Sequence, residues 1–527
     1  MESGATKVVS LFLQTPYNKT MNIYTLGEYM KQTSIEEIRK IASEGSYRLI
    51  PVIRQILSDV ATPVQVMRKL LNVSSHCFLL ESVEDSRQWG RYSFLGYNPT
   101  MQISSRGKET TVTLEDGSQQ VMKLDNPGTY IRELIEKNKA PKLKDAPTFT
   151  GGLVGYFSYE YMQYGEPSLH FYSSNKYDFS DMDLMLFENL ICFDNLKQKI
   201  LLISNLKAPE VASEAALKDA YNAANLKLDE MENLILHGEM KDVEKGHLLG
   251  EIKPVFSKEE YCNKVEKVKD HIYEGDIFQL VLSNPMEADF EGSLFDTYRI
   301  LRTTNPSPYM FYFSGDTEIA GASPETLVKV EDGEIRTFPL AGTRPRGATL
   351  EEDLALEKEL LADEKERAEH NMLVDLGRND LGKLCDFGSV EVEKYMSIER
   401  YSHVMHIGSS VKGKLDSKYS AIDAIDAVLP AGTLSGAPKI RACELIDELE
   451  GMKRGIYGGA IGYVDFTGNL DTCIAIRLAY KKNGKVFVRS GAGLVADSVP
   501  ENEFTECVNK AKAVVNAIKE ACDGTDN

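Results

Sequence analysis

Apolar positions recur along this chain in two rhythms. Spaced three and four apart they predict helices; alternating or in short continuous runs they predict strands. Thr33–Glu44 reads as a helix, with Thr33 or Ser34 as cap, Glu36 and Glu37 in its first turn and Gly45 as its stop. Thr62–Leu71 predicts a second. Cys77–Val83, Gly90–Pro99, Gly151–Tyr159, Leu184–Phe193 and Lys199–Asn205 predict strands, and Thr110–Leu114 and Gln120–Leu124 flank an Asp116-Gly117 hairpin turn. From Pro209 to about His237 the helical period returns, and 238–253 is charged and glycine-punctuated. The pattern therefore divides the chain into an uncertain N-terminal extension (1–30), a strand-rich region (31–205), a helical connector (206–253) and a second region (254–524).

That second region opens on a capping box, Ser257 with Glu260, and a helix to about Tyr273. Ile277–Leu282, Tyr309–Phe313 and Leu327–Val330 predict strands, Leu294–Thr303 a helix, and Leu350–Leu376 one long helix. Tyr457–Val464, Asp471–Tyr480 and Lys485–Arg489 predict an antiparallel meander. The last helix takes Ser498 as cap, with Pro500 in its first turn and Glu501 completing a capping box. Runs of strands beside long helices predict an α+β fold.

Composition narrows the function classes. A net charge of −20 argues against nucleic acid, which needs a basic face. No apolar run is long enough to span a membrane, and Val8–Leu13 is too short for a secretory core. Eight cysteines without a Cys-x-x-Cys spacing read as free thiols in a reducing compartment, so the cytoplasm is the expected location.

Candidate chemistry gathers in the second region. Pro339–Gly347 and Gly432–Lys439 are glycine-bearing turns between apolar and helical stretches, where backbone N–H groups can meet an anion. Gly432–Lys439 lacks the phosphate-loop register, which excludes a nucleotide P-loop, and by itself reads first as a turn and helix cap. Glu366 with Glu369, and Glu503 with Glu506, lie three apart on predicted helices and share a face. Four such carboxylates suit a hard divalent cation, although 80 acidic residues make this spacing common by chance. Glu325 follows Ser323-Pro324 between apolar strands; buried it is a usable acid, exposed it is an ordinary turn residue. His403 and His406 flank Val404-Met405 and fit a core or surface role as well as a catalytic one.

Taken in order, these segments resemble the chorismate-utilising enzymes, and within them the large (aminase) subunits of anthranilate synthase. The likeness runs from about Gly45 to Ala521 and is densest between Phe278 and Lys510, through Gly321–Glu325, Pro339–Gly347, Asp363–Asp380, Tyr401–His406, Gly432–Lys439, Gly455–Gly462, Asp471–Arg477 and Gly491–Glu506. It implies two β-sheets packed as a sandwich, helices outside and the site in a cleft. It implies a lyase that aminates chorismate at C2 with loss of the C4 hydroxyl, then eliminates pyruvate. Mg²⁺ would be held by Glu369 and Glu506, with Glu366 and Glu503 as outer or alternate ligands. Gly342, Thr343, Thr433, Tyr457, Arg477, Gly491, Ala492, Gly493 and Lys510 fall at substrate-binding positions. Glu325 matches the acid, His406 the group implicated in the elimination, and Thr343 and Gln279 complete the catalytic positions.

Two positions separate relatives. Isochorismate and salicylate synthases place Lys where Gln279 stands, and aminodeoxychorismate synthases place Lys where Ala341 stands; Gln with Ala favours anthranilate. The competing readings are a sister aminodeoxyisochorismate or aminodeoxychorismate synthase and a catalytically dead tryptophan-sensing regulator. No cysteine sits in a Gly-x-Cys-x-Gly turn, so ammonia is expected from a separate glutamine amidotransferase in a hetero-oligomer. Leu80, Glu81 and Ser82, with Asn305, Pro308, Tyr309 and Met310, match the segments where L-tryptophan inhibits this family.

Overall fold

The apolar runs pair antiparallel into two sheets, of 13 and 12 strands among the described residues. The computed structural model describes residues 31–45, 47–82, 90–208, 213–401 and 404–524; the N-terminal segment 1–30, the Val83 end of a predicted strand and His403 lie outside the described residues. Both sheets interleave the two halves of the chain. Cys77–Glu81 pairs with Tyr309–Ser314 in the larger sheet, and Gly152–Phe157 with Ala460–Asp465 in the smaller.

The sheets face each other across an aromatic interior. Phe78 meets Phe187 edge-on at 4.8 Å between ring centres, and Phe149 stacks on Tyr463 at 4.3 Å. Helices cover the outer faces. Pro63–Val73, Glu214–His237 and Pro500–Asp523 pack on the larger sheet, while Ala421–Val428 and the inner face of Glu364–Gly382 pack on the smaller. Glu214–His237, in the segment read as a connector, buries Leu217, Leu228, Met231 and Ile235.

Several predicted elements divide. Leu184–Phe193 is two strands, Met182–Phe187 in the smaller sheet and Asn189–Asp194 in the larger. Asp471–Tyr480 divides likewise into Leu470–Ile474 and Leu478–Lys482, with Arg477 left-handed (φ 54°) just before the second strand. The cause is common to both. One strand face meets the sandwich interior and the other the helices, so apolar positions resume at once after Glu188-Asn189 and after Arg477, and one or two polar residues do not mark a boundary. The predicted helix Leu350–Leu376 breaks at Asp363, which is extended and caps the N–H groups of Lys365 and Glu366 with its carboxylate; the helix restarts as Glu364–Gly382. The Ser498–Glu501 capping box does not form. Pro500 forces the residue before it to be extended, so Val499 is the N-cap and Ser498 Oγ accepts from Val495 N–H. Tyr457 lies in the turns before Ala460–Asp465 instead of in that strand.

A second crossing lies beside that of Arg477. Glu318–Ser323 belongs to the larger sheet and Thr326–Glu331 to the smaller, with Pro324-Glu325 at the corner. Glu318–Ser323 pairs with Leu478–Lys482, and Thr326–Glu331 with Leu470–Ile474, so the two corners are neighbours in both sheets.

Behind these corners lies a buried charge network. Glu450, at the end of the helix Lys439–Glu450, meets Arg454 at 2.7 Å and Arg489 at 2.5 Å, all three side chains at 2% exposure or less. Burial alone would raise the Glu450 pKa; the two guanidinium groups more than reverse it. Its carboxylate also accepts from Ser283 N–H and Oγ, both at 2.8 Å. Arg454 donates to the carbonyls of Leu434 (2.6 Å) and Val281 (2.7 Å), and its own N–H donates to Glu160. Replacing Glu450 with Ala leaves two buried cations uncompensated, an expected cost of about 3–5 kcal/mol. Arg39→Ala, which removes an exposed pair with Glu214, is expected to cost under about 1 kcal/mol. Thermal melts of the two variants beside the wild type test the contrast.

Candidate functional site

Glu325 owes its position to the strand crossing. Its carbonyl accepts from Ile474 N–H at 2.9 Å, and its carboxyl accepts from the Thr433 hydroxyl at 3.0 Å. Enclosure of the carboxyl pushes its pKa up to about 7, against the opposing pull of Thr433 and of the Lys510 ammonium. Such a group is partly protonated at neutral pH and can give up a proton. At the neighbouring corner, the Arg477 carbonyl accepts from Ala322 N–H at 3.0 Å. Burial holds the Arg477 guanidinium below its ordinary pKa, opposed only by Tyr457 among the described residues.

Gly342 and His406 come from a bulged strand pair. Leu340–Pro345 runs against Val404–Lys414 with a register shift between Ala341 and Thr343, and Gly342 takes a left-handed φ of 63° there. A side chain at that point would press on Leu360 and on the Glu366 carboxylate. His406 Nδ1 lies 2.8 Å from the Gly342 carbonyl and 3.1 Å from Thr343 Oγ1. The carbonyl can only accept, so this network assigns the ring proton to Nδ1 and leaves Nε2 as the basic nitrogen. Burial lowers the His406 pKa, the Gly342 carbonyl opposes that, and Arg477 adds to it.

The four glutamates sit on two helices. The Asp363 break places Glu366 and Glu369 in the opening turns of Glu364–Gly382, and Glu503 and Glu506 open Pro500–Asp523. Glu369 Oε1 accepts from Gln279 Nε2 at 3.4 Å, and burial with the nearby Glu366 raises its pKa. Glu503 is raised by burial and by Glu506, against a hydrogen bond from Ser498. Glu366 lies 3.6 Å from Arg344, and Glu506 is paired with Lys510 at 2.7 Å. Lys510 is felt by Glu325, Glu369 and Glu503 together, and donates to the Gly491 carbonyl at 3.2 Å. Two half-buried carboxylates, raised first by loss of solvent and further by a neighbouring glutamate, form a donor set that suits Mg²⁺. Among the described residues these oxygens do not close into a cage. The one group of three with ligand atoms within 4.8 Å is His271, Glu274 and Asp276, where Arg441 already pairs with Asp276 at 3.1 Å. An open set matches a cation that keeps water and substrate oxygens in its shell.

Gly491, Ala492 and Gly493 lie on Lys485–Leu494, paired with Gln279–Glu291. A side chain at Gly493 would meet the Gln279 amide, and one at Gly491 the Leu282 carbonyl. Tyr457 is buried, 5.8 Å from the Arg454 guanidinium.

The residues of the expected feedback site gather elsewhere. Met310 pairs with Glu81 and Phe311 with Leu80, while Asn305 and Pro308 form the turn leading into Tyr309–Ser314. Ser82 Oγ is buried without a partner among the described residues. Leu80 and Tyr309 face the sandwich interior, whereas Met310 faces the helix layer. Sequence reasoning missed Arg302 and Tyr298, which donate to Glu81 at 2.8 Å and 2.5 Å; they sit on the next helix, with no spacing to mark them. It also missed Glu450 with Arg454, whose four-residue spacing gives an ion pair but not its burial.

A family model described as chorismate binding enzyme matches residues 75–516. Anthranilate synthase component 1 of Acetivibrio thermocellus is 45% identical over 93% of this chain and 98% of its own length. The Acinetobacter calcoaceticus protein of the same name is 43% identical over 93% and 99%. Among solved structures, anthranilate synthase component I from Streptococcus pneumoniae TIGR4 superposes with a TM-score of 0.70 at 38% identity, covering 87% of this chain and 99% of that one. A menaquinone-specific isochorismate synthase from Escherichia coli shares the fold at 19% identity, with a TM-score of 0.64 over 94% of this chain and all of its own.

The enclosed carboxyl makes stability depend on pH. The Glu325 pKa is raised from 4.5 to about 7, so the folded protein holds this proton more tightly than the unfolded chain. Its contribution is therefore complete below pH 4.5 and is lost as pH rises through 7. Ionised at pH 8, the group costs about 3 kcal/mol. Glu325→Gln is expected to melt above the wild type at pH 8 and level with it near pH 4.5; melts at the two pH values read the sign.

Proposed function

The chain belongs to the chorismate-binding enzymes, in the anthranilate synthase component 1 branch, and from that premise we propose that it converts chorismate and ammonia to anthranilate, pyruvate and water. The observation that carries this reading is the grouping of a near-neutral acid, Glu325, with paired glutamates around one ammonium, Lys510.

Hydroxide leaves C4 poorly, so Glu325 gives its proton to the departing oxygen as ammonia attacks C2, and water is released. Gln279 carries no basic nitrogen, which suits a reaction whose nucleophile arrives already competent. The aminated ring then loses its C2 proton while the C3–O bond breaks and the side chain leaves as pyruvate. His406 is presented with a basic Nε2, which supports its part in this elimination. Arg477 and Lys510 offer cations to the two substrate carboxylates. Bound by Glu369 and Glu506, Mg²⁺ would supply the positive charge that lets a carboxylate approach these glutamates. The overall reaction is that of a carbon–oxygen lyase.

Ammonia comes from a separate glutamine amidotransferase subunit, and L-tryptophan inhibits from the site around Glu81, Ser82 and Met310. The hydroxyl of Ser82, buried without a partner among the described residues, supports the second assignment, because such a group is available to a ligand.

Incubated with chorismate, Mg²⁺ and ammonium at mildly alkaline pH, the chain is expected to produce anthranilate fluorescence that EDTA abolishes. Consumption of chorismate to a different mass would reassign it to a sister reaction, and untouched chorismate in the presence of its partner subunit would favour a regulator. Glu369→Gln is expected to fall below about one hundredth of the wild-type rate with its melting temperature kept, since a ligand carboxylate contributes to charge stabilisation and not to packing. Ser82→Phe is expected to keep the rate and lose inhibition by tryptophan. Unchanged inhibition in that variant would remove the feedback site from this place.

A further inference from the structure

His370 follows Glu369 on the same helix and is fully buried. Its Nε2 lies 2.6 Å from Ser409 Oγ, whereas its Nδ1 is buried without a partner among the described residues. An aliphatic side chain would fill this space without leaving a polar atom unpaired, so packing alone does not account for an imidazole here. Of the helix's other inward residues, Leu373, Val374 and Leu381 make contacts without direction, and Asp380 accepts from Lys439 Nζ at 2.7 Å near the far end of the helix. The bond between His370 and Ser409 is a buried directional contact beside the two glutamates.

Ser409 is itself a junction. Its hydroxyl oxygen accepts from Met396 N–H at 3.0 Å, and Met396 stands at a left-handed φ of 49° in a bulged strand. Its own N–H donates to the Pro339 carbonyl, just before the strand that carries Gly342 and Thr343. Three residues before it on the same strand is His406. The hydroxyl oxygen keeps a second lone pair and its own proton, so it can meet His370 Nε2 in either tautomer. One buried contact thus ties the helix of Glu366 and Glu369 to both strands that present Thr343 and His406.

We propose that His370 is a positioning residue that sets the two glutamates against the Thr343 and His406 strands through the Ser409 hydroxyl. This rests on the reading of Glu369 as a ligand of a divalent cation. Groups that orient ligands in this way are worth about 10–100-fold in metal affinity.

The test uses the full chain and three variants. His370→Leu keeps the volume and removes the bond, Ser409→Ala removes it from the other side, and His370→Gln offers an amide that can restore it. Mn²⁺ binding is followed by loss of the free-ion electron paramagnetic resonance signal, with chorismate present and ammonium absent so that nothing turns over. The Mg²⁺ dependence of anthranilate formation is measured alongside, with thermal melts as the control for folding. His370→Leu and Ser409→Ala are expected to weaken Mn²⁺ binding, and to raise half-saturating Mg²⁺, by about tenfold or more, with His370→Gln within about threefold of the wild type. Wild-type affinity in folded His370→Leu or Ser409→Ala overturns the proposal, as does a folded His370→Gln no better than His370→Leu. Should His370→Leu fail to fold, Ser409→Ala decides. A wild-type chain that binds no Mn²⁺ and is indifferent to EDTA overturns the metal reading itself, and the proposal with it.

Discussion

The Glu450 carboxylate between Arg454 and Arg489 is the interaction on which the active region leans. Each guanidinium removed from water needs its charge and donors answered, and the answers come from separate pieces of the chain. Arg454 is answered by the carbonyls of Leu434 and Val281, one in the turn that carries Thr433 and the other on the strand that begins at Gln279. Arg489 donates to Ser283 Oγ and lies on the strand that ends with Gly491–Leu494. The network joins the elements that present Thr433, Gln279 and Gly491–Gly493. It is a frame built of directional bonds, whereas apolar packing alone would fix distance but not orientation.

Function here depends on where charge is left incomplete. Glu450 is answered twice over and sits below the ordinary carboxylate range. Glu325, Glu369 and Glu503 are enclosed without full compensation and sit above it. The same residue type is therefore held as a fixed anion at one place and left able to take up a proton at others, and what separates them is the number of positive partners each finds on burial.

Much of this was legible in the chain. The helices and most strands follow their apolar periods, and the paired glutamates were located by spacing alone. The strand crossings were not legible. At Glu188-Asn189 and at Arg477 the apolar run is interrupted by only one or two polar residues before it resumes in the other sheet, because both faces remain covered. Nor was the Asp363 break, where the helical period continues across a single extended residue and only the carboxylate cap betrays the restart. The depth of Glu450, Arg454 and His370 could not be read either, since a charged residue carries no local sign of what the rest of the chain will lay over it.

The paired corners at Glu325 and Arg477 also bear on how this chain tolerates change. Surface connections usually absorb inserted or deleted residues, because nothing downstream depends on their length. Here each connection is held at both ends by a partner making the same crossing, Thr326 against Cys473 and Gly321 against Leu478. A residue gained or lost between Ile474 and Leu478 would shift the register in one sheet or the other and turn every following side chain of that strand to the opposite face. For the sheets, a change of length at these corners is costlier than a change of side chain, and their spacing should stay constant wherever this arrangement of acid and cation is kept.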